Sequence, residues 1–197
     1  MGGMATRALI LDLDGTIWDS HPLYARLIES RGGPDFESTR RSLRTGGNVA
    51  RLLRSNGLYG AGYRSALRHY RPSLQLYPSV RSCLTDLKLA DIPVGIVTSL
   101  PSWIWQPMVS IAQIEGFVSA IEGFRRSNSK ASSMEAALRS LGLKPSTDVW
   151  YVGDLESDCA AARVVGISFA WASWGYSAKT PPKASKSLTS FRGVLTL

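Results

Sequence analysis

Short, nearly continuous apolar runs recur along the chain of 197 residues, and polar or turn-forming residues separate them. The five runs lie at residues 8–11, 94–97, 117–121, 149–152 and 167–171. Because apolar and polar residues do not alternate within them, the runs are typical of strands that are covered on both faces of a parallel sheet. We therefore predict one strand for each run.

Helical patterns lie between these runs. Apolar residues recur with the spacing i, i+3, i+4, i+7 in two segments, one beginning at Val80 and the other at Met134. Ser132-x-x-Glu135 predicts a capping box at the start of the second helix, and Gly142 predicts its end. Strands that alternate with helices predict an α/β fold with right-handed crossovers.

Residues 17–78 depart from this alternation. They contain ten arginines, four acidic residues and no lysine. Helical stretches are predicted around residues 21–31, 36–44, 48–56 and 60–70. We predict that residues 17–78 form a helical cap domain, inserted into an α/β core domain made of residues 1–16 and 79–197.

The whole chain is basic, with a formal net charge of +8 and a pI near 9.8. This charge favours anionic partners. Nucleic acid is not the expected partner, because no long basic run or interleaving of aromatic with basic residues appears. No apolar stretch reaches the length that spans a bilayer, and the two cysteines cannot form a disulfide framework. We therefore expect no membrane partner and a cytoplasmic location.

Polar residues follow the predicted strands or begin the predicted helices at four places. These are "DLDGT" at 12–16, "VTS" at 97–99, Lys130, and "VGDLESD" at 152–158. Ligands of open α/β sheets bind at the carboxyl ends of the strands, so these residues are the candidates for a functional site. Each piece alone has an ordinary structural explanation, such as an Asp-Gly turn or a helix cap, but the four together indicate chemistry.

In order and spacing the four pieces resemble the motifs of the haloacid dehalogenase (HAD) superfamily of aspartate-nucleophile phosphatases. "DLDGT" matches the first motif, Thr98 the second, Lys130 the third and "GDLESD" the fourth. The "WGY" at 174–176 and the segment 77–100 further resemble the phosphoglycolate phosphatase-like branch, whose cap follows the first motif. The resemblance implies a Rossmann-like parallel sheet flanked by helices, with a small helical cap after the first strand.

The resemblance also implies roles for the acidic residues. Asp12 would be the nucleophile, since a carboxylate can attack phosphorus and divide the hydrolysis into two easier steps. Mg²⁺ would be held by the carboxylates of Asp12 and Asp154 and by the backbone carbonyl of Asp14, and would lie between two negative groups. Asp14 would protonate the leaving group and then deprotonate water.

The remaining candidates concern the phosphate and the rest of the substrate. Thr98, Ser99 and Lys130 would bind the phosphoryl oxygens, where negative charge accumulates. Asp158 would orient Lys130 or a metal-bound water. Arg44 in the cap is our candidate for binding a second acidic group of the substrate.

The function expected from the resemblance is a Mg²⁺-dependent phosphatase that acts on a small phosphorylated metabolite. A phosphomutase of the β-phosphoglucomutase type and a non-catalytic binding protein that retains the fold are the alternatives, and action on nucleic-acid ends is a further one. A dehalogenase is disfavoured because Asp14 is the acid that the phosphatases use. A phosphonate hydrolase would need a lysine in the cap, and no lysine precedes Lys88. The sequence leaves the oligomeric state and the substrate open.

Overall fold

A computed structural model describes residues 6–45, 47–125, 128–177, 181 and 183–197. The contacts divide the chain into two units. The α/β unit contains the described residues of 1–18, 76–99 and 114–197, and the helical unit contains those of 19–75 and 100–113.

Eight strands and eight α-helices follow one another along the described chain. The strands are β1 (Ala8–Leu11), β2 (Trp18–Asp19), β3 (Gln75–Leu76), β4 (Val94–Val97), β5 (Ala120–Glu122), β6 (Val149–Gly153), β7 (Ser168–Ala172) and β8 (Lys186–Leu188). The helices are α1 (His21–Glu29), α2 (Phe36–Arg44), α3 (Val49–Ser55), α4 (Gly60–His69), α5 (Val80–Leu89), α6 (Ser102–Ala112), α7 (Lys130–Ser140) and α8 (Glu156–Val165).

Six strands form a parallel sheet in the order β5-β4-β1-β6-β7-β8, while β2 and β3 pair separately. This confirms the predicted α/β fold class with a parallel sheet. In the register, Leu11 at the end of β1 lies opposite Ile96 of β4 and Val152 of β6. The carboxyl ends of these three central strands therefore meet at one edge of the sheet.

The core of the α/β unit explains why the apolar runs form strands. All four residues of β1 are buried, and Ala8 and Ile10 pack in one cluster with apolar residues of α7 and α8. Because both faces of the sheet are covered, burial of these side chains stabilises the unit without any alternation of apolar and polar residues.

The start of α7 differs from the prediction. Ser129 caps the helix, and its side chain accepts a hydrogen bond from the backbone N–H of Ser132. Ser132 already lies inside the first turn, so the predicted Ser132-x-x-Glu135 capping box is wrong. Ser129 has the extended backbone that an N-cap requires, with φ −77° and ψ 163°.

The helical unit contains the four predicted helices, with α2 at the predicted residues 36–44. It also contains α6, which the sequence pattern did not indicate and which lies in the segment 79–197 that we assigned to the core. The ring of Trp103 on α6 makes edge contacts with Tyr59 at 4.9 Å and Tyr63 at 5.5 Å, measured between centroids. The Tyr24 hydroxyl lies 3.3 Å from the sulfur of Met108. Residues 100–113 therefore pack with the helical unit.

Membrane insertion through a helix finds no support in the described residues, since none of their helices combines the length and apolar character that a bilayer span requires.

Candidate active site

Three candidate residues directly follow the central strands. Asp12 comes after β1, Thr98 after β4 and Asp154 after β6, and all three are buried. The backbone N–H of Asp12 donates to Val152 O at 2.9 Å, and that of Thr98 donates to Glu122 O at 2.9 Å. The sheet thus fixes the backbone at the positions from which these side chains project.

Lys130 joins this group from the first residue of α7. Its Nζ lies 3.1 Å from Oδ1 of Asp12 and also forms an ion pair with Oδ1 of Asp158. The other oxygen of Asp158 accepts the Leu155 N–H at 3.0 Å. Gly153 allows this approach, because a Cβ there would collide with the Asp158 carboxylate. Asp158 therefore contacts Lys130 directly, and its role in orienting Lys130 stays a prediction.

Asp14 lies in the turn that follows β1. The strand ends at Leu11, and the chain then turns through Gly15, whose φ is +81°. Oδ1 of Asp14 accepts a hydrogen bond of 2.6 Å from the indole N–H of Trp18. The sequence pattern did not indicate Trp18, because the period of an extended strand does not reveal a pair four residues apart across a turn.

The electrostatics of the cluster follow from its burial. Burial raises the pKa of Asp12 well above its usual value, and the negative charges of Asp158, Asp154 and Asp14 add to this effect while Lys130 opposes it. Burial acts against the charged form of Lys130, but attraction to Asp12 and Asp158 outweighs it, so the pKa of Lys130 lies above its usual value. Burial also raises the pKa of Asp154 to about 6, although the Tyr176 N–H acts in the opposite direction.

The donor set of this cluster fits a cation. Carboxylate oxygens of Asp12, Asp154 and Asp158 lie within 4.8 Å of one another. Oδ2 of Asp154 accepts the Tyr176 N–H at 2.7 Å, but its buried Oδ1 has no hydrogen-bond partner among the described residues. A buried carboxylate oxygen without a partner is costly, and a hard cation with oxygen ligands relieves that cost. Both oxygens of Asp158 already have hydrogen-bond partners, in Lys130 and the Leu155 N–H, so Asp12 and Asp154 are the better candidates for metal ligands.

Comparison with known proteins identifies the family. The family model described as haloacid dehalogenase-like hydrolase matches residues 6–166. The chain belongs to this family. The relatives include the phosphoglycolate phosphatase of Yersinia pestis, which is 28% identical over 194 residues and is matched over 87% of this chain and 83% of the relative. The phosphoglycolate phosphatase of Chromobacterium violaceum is 28% identical over 192 residues, with 86% of each chain covered.

Solved structures show the same fold. A subfamily IA HAD-superfamily hydrolase from Geobacter sulfurreducens superposes with a TM-score of 0.74 at 23% identity, covering 98% of this chain and 99% of that one. An HAD phosphatase from Thermococcus onnurineus gives a TM-score of 0.74 at 21% identity, with 96% of both chains covered. The predicted HAD resemblance, with its phosphatase-type enzyme class and phosphoglycolate phosphatase-like branch, is confirmed.

Two further candidates from the sequence are Ser99 and Arg44. Ser99 follows Thr98 and is exposed. Arg44 is the last residue of α2 in the helical unit and is also exposed. The neighbouring Gly46 lies outside the described residues. The roles of Ser99 and Arg44 toward a substrate stay predictions.

The charge of Arg44 acts on His21, which lies at the start of α1 in the same helical unit. The pKa of His21 is lowered to about 4, mainly by burial; Asp19 acts in the opposite direction, and the charges of Arg44 and Arg40 contribute to the lowering. The unfolded chain therefore binds the proton more readily than the folded one between about pH 4 and pH 6.5. Stability from this group is fully present above pH 6.5 and is lost as the pH falls.

We expect acidification from pH 7 to pH 5 to destabilise the wild-type protein relative to His21→Gln, by at most about 1.4 kcal/mol per pH unit. Urea unfolding of both proteins at the two pH values measures this difference. Comparing the two proteins removes the opposite contribution of Asp12 and Asp154, whose raised pKa values favour the folded state on acidification. An identical pH dependence of the two proteins would contradict the expected role of His21.

Proposed function

We propose that the protein is a Mg²⁺-dependent phosphatase that hydrolyses a small phosphomonoester through an aspartyl-phosphate on Asp12. One observation carries the proposal: at the edge of the sheet, Asp12 is paired with Lys130 beside Asp154, whose buried Oδ1 has no hydrogen-bond partner among the described residues. A purely structural cluster does not need an uncompensated buried carboxylate oxygen. A phosphate site that holds a cation needs such an oxygen as a ligand.

In the first step, an oxygen of Asp12 attacks phosphorus and the bond from phosphorus to the ester oxygen breaks. Asp14 gives a proton to the departing alkoxide. In the second step, water attacks phosphorus, passes a proton to Asp14, and breaks the bond to Asp12, releasing inorganic phosphate. The hydrogen bond from Trp18 keeps the Asp14 carboxyl in a fixed orientation for both transfers.

The carboxylates of Asp12 and Asp154 and the backbone carbonyl of Asp14 would hold Mg²⁺. When bound, the ion neutralises negative charge on the phosphoryl group and the attacking carboxylate. Lys130 supplies a second positive charge, and its pairing with Asp158 keeps the ammonium group directed at Asp12. The Thr98 hydroxyl and the Ser99 N–H are the further donors to phosphoryl oxygens.

For the substrate, phosphoglycolate is the first compound to test, because the relatives from Yersinia pestis and Chromobacterium violaceum are named phosphoglycolate phosphatases. A small, strongly anionic ester suits the net charge of +8. Its second acidic group is the partner that we propose for Arg44. The reaction would take place in the cytoplasm, where the buried Cys83 and Cys159, which form no disulfide, remain reduced.

The test is release of inorganic phosphate from phosphoglycolate, sugar phosphates, nucleotides and an aryl phosphate, with Mg²⁺ and with EDTA. Metal-dependent release supports the phosphatase and ranks its substrates. Conversion of one sugar phosphate into its isomer without net phosphate release would instead support the phosphomutase. Folded protein with neither activity would support the binding protein.

Replacing Asp14 with asparagine separates proton transfer from metal binding. We expect Asp14→Asn to lower kcat by roughly 10²- to 10⁴-fold, the usual contribution of a general acid–base. Mg²⁺ affinity, measured by calorimetry, should change little because the backbone carbonyl remains. Asp86→Asn, at an exposed carboxyl on α5, is the matched control. A parallel loss of Mg²⁺ affinity in Asp14→Asn would place the side chain itself on the metal.

A further inference from the structure

We infer that the segment Trp174-Gly175-Tyr176, called here the clamp segment, positions Asp154 and the loop 12–16 for metal binding. The inference rests on the proposed metal-dependent function and adds residues that take no part in the chemistry. The clamp segment follows β7, and it contacts both stretches of chain that carry the proposed ligands.

The first contact fixes the loop after β1. The indole N–H of Trp174 donates to the carbonyl oxygen of Thr16 at 3.1 Å. The Trp174 ring is itself held by edge contacts with Tyr77 at 6.4 Å and Phe191 at 6.1 Å between centroids. The hydrogen bond therefore comes from a donor with little freedom to move, and it holds the turn two residues beyond Asp14.

The second contact fixes the carboxylate of Asp154. The backbone N–H of Tyr176 donates to Oδ2 at 2.7 Å, while Oδ1 stays without a hydrogen-bond partner among the described residues. The amide hydrogen bond fixes the orientation of the carboxylate and uses one lone pair of Oδ2, so Oδ1 keeps both of its lone pairs for an ion. Tyr176 thus orients Asp154 so that Oδ1 is the better ligand, in the manner of groups that orient metal ligands from behind.

The third contact explains why glycine stands between these two residues. A Cβ at Gly175 would collide with the Cβ of Asp154 and would lie 2.5 Å from the carbonyl oxygen of Gly15. On the opposite side, a Cβ at Gly15 would lie 2.5 Å from Oδ2 of Asp154 and 2.9 Å from Cδ2 of Tyr176. Two glycines therefore enclose the Asp154 side chain, and any side chain at position 175 must move the carboxylate or the loop.

These three contacts predict a particular defect. Disturbing the clamp segment should displace the two proposed ligand-bearing stretches relative to each other. It should therefore lower the affinity for Mg²⁺ more than it lowers the stability of the fold. Mutation of groups that orient metal ligands typically costs 10- to 100-fold in affinity or activity. We expect Gly175→Ala to weaken Mg²⁺ binding by roughly that factor.

The experiment measures Mg²⁺ binding by calorimetry in the absence of substrate, for the wild type, Gly175→Ala and Trp174→Phe. Trp174→Phe removes the indole N–H but keeps an aromatic ring against Tyr77 and Phe191, so it should fold and show a smaller loss in the same direction. In kinetics, both variants should need more Mg²⁺ for half-maximal rate. The KM for the phosphate ester at saturating Mg²⁺ should stay close to the wild-type value.

Two controls separate positioning from general loss of stability. Gly166→Ala places a side chain at a φ of +81° where no atom lies within 4 Å, so it should lower the melting temperature without changing Mg²⁺ affinity. Trp150→Phe makes the same chemical change as Trp174→Phe, but within strand β6. If Gly175→Ala fails to fold, Trp174→Phe compared with Trp150→Phe carries the test.

The outcomes are distinct. Weakened Mg²⁺ binding in the clamp variants, but not in the controls, supports the inference. Wild-type Mg²⁺ affinity in folded clamp variants overturns it and leaves the proposed phosphatase standing. A wild-type protein that binds no Mg²⁺ overturns both the metal assignment and the role of the clamp segment.

Discussion

Replacing Asp12 with asparagine is expected to lower phosphate release by at least about 10⁴-fold, as removal of a catalytic nucleophile does. The amide cannot form the aspartyl-phosphate, and it also removes a charged ligand from the proposed metal site. Lys130 keeps its ion pair with Asp158, so the cluster retains its internal cation. Phosphate release from phosphoglycolate and an aryl phosphate, at saturating Mg²⁺, measures the loss.

The same substitution should not destabilise the protein without metal. Burial raises the pKa of Asp12 well above its usual value, so the ionised carboxylate is less favourable in the folded chain than in the unfolded chain. At pH 7 the uncharged amide removes that cost. We therefore expect a melting temperature equal to or above that of the wild type in EDTA, and a smaller rise on adding Mg²⁺.

Asp91→Asn, at an exposed position between α5 and β4, serves as the control for Asp12→Asn. It should change neither rate nor melting temperature. Wild-type turnover by Asp12→Asn would exclude Asp12 as the nucleophile, and an unfolded variant would show that the carboxylate is needed for the fold rather than for chemistry.

Replacing Lys130 with methionine is expected to affect both activity and stability. Methionine keeps an unbranched side chain but leaves the buried carboxylates of Asp12 and Asp158 without the ammonium group that pairs with them. Breaking a buried ion pair by removing one partner typically costs about 3–5 kcal/mol. Phosphate release should also fall sharply, because a positive charge that stabilises the transition state is lost. Urea unfolding and phosphate release measure the two effects.

Two conditions should partly rescue the stability of Lys130→Met. Lowering the pH from 7.5 to 5 protonates carboxyl groups whose pKa values are already raised, and Mg²⁺ supplies another cation. Lys144→Met, at an exposed lysine, provides the control and should behave as the wild type. If Lys130→Met and the wild type have the same free energy of unfolding at pH 7.5 in EDTA, the pairing of Lys130 with Asp12 and Asp158 contributes no stability.

Five of the six strands of the sheet could be predicted from the sequence, because their signal is local and strong, whereas β8 at Lys186–Leu188 could not. The run "ALIL" and the four other runs consist mostly of apolar residues, which favour burial. The observed strands fall within a few residues of these runs. The motif residues Asp12, Thr98 and Asp154 directly follow three of these predicted strands, so their position at strand ends could be predicted as well. Their proximity is a consequence of parallel topology and register, which right-handed crossovers make predictable.

What could not be predicted depends on contacts between distant parts of the chain. The helix α6 contains three polar residues, two tryptophans and Pro107, so it lacks a clear apolar spacing, and its packing against Tyr59 and Tyr63 decides its place. The role of Tyr176 comes from its backbone N–H, which every residue except proline possesses, so no side-chain pattern indicates it. Ser129 and Ser132 both suit an N-cap by composition, and only the backbone conformation distinguishes them.

The packing of α6 also limits how the helical unit of this protein can be replaced by that of a relative, in evolution or by design. A helical unit made only of residues 19–75 could be replaced as one continuous segment, joined to the rest of the chain at two points. Here the helical unit includes residues 100–113, and Ile104 and Met108 on α6 are buried. A graft that transfers 19–75 alone would set a foreign surface against a helix whose apolar residues match the original one. Exchange of the helical unit of this protein therefore requires two stretches of chain to be transferred together.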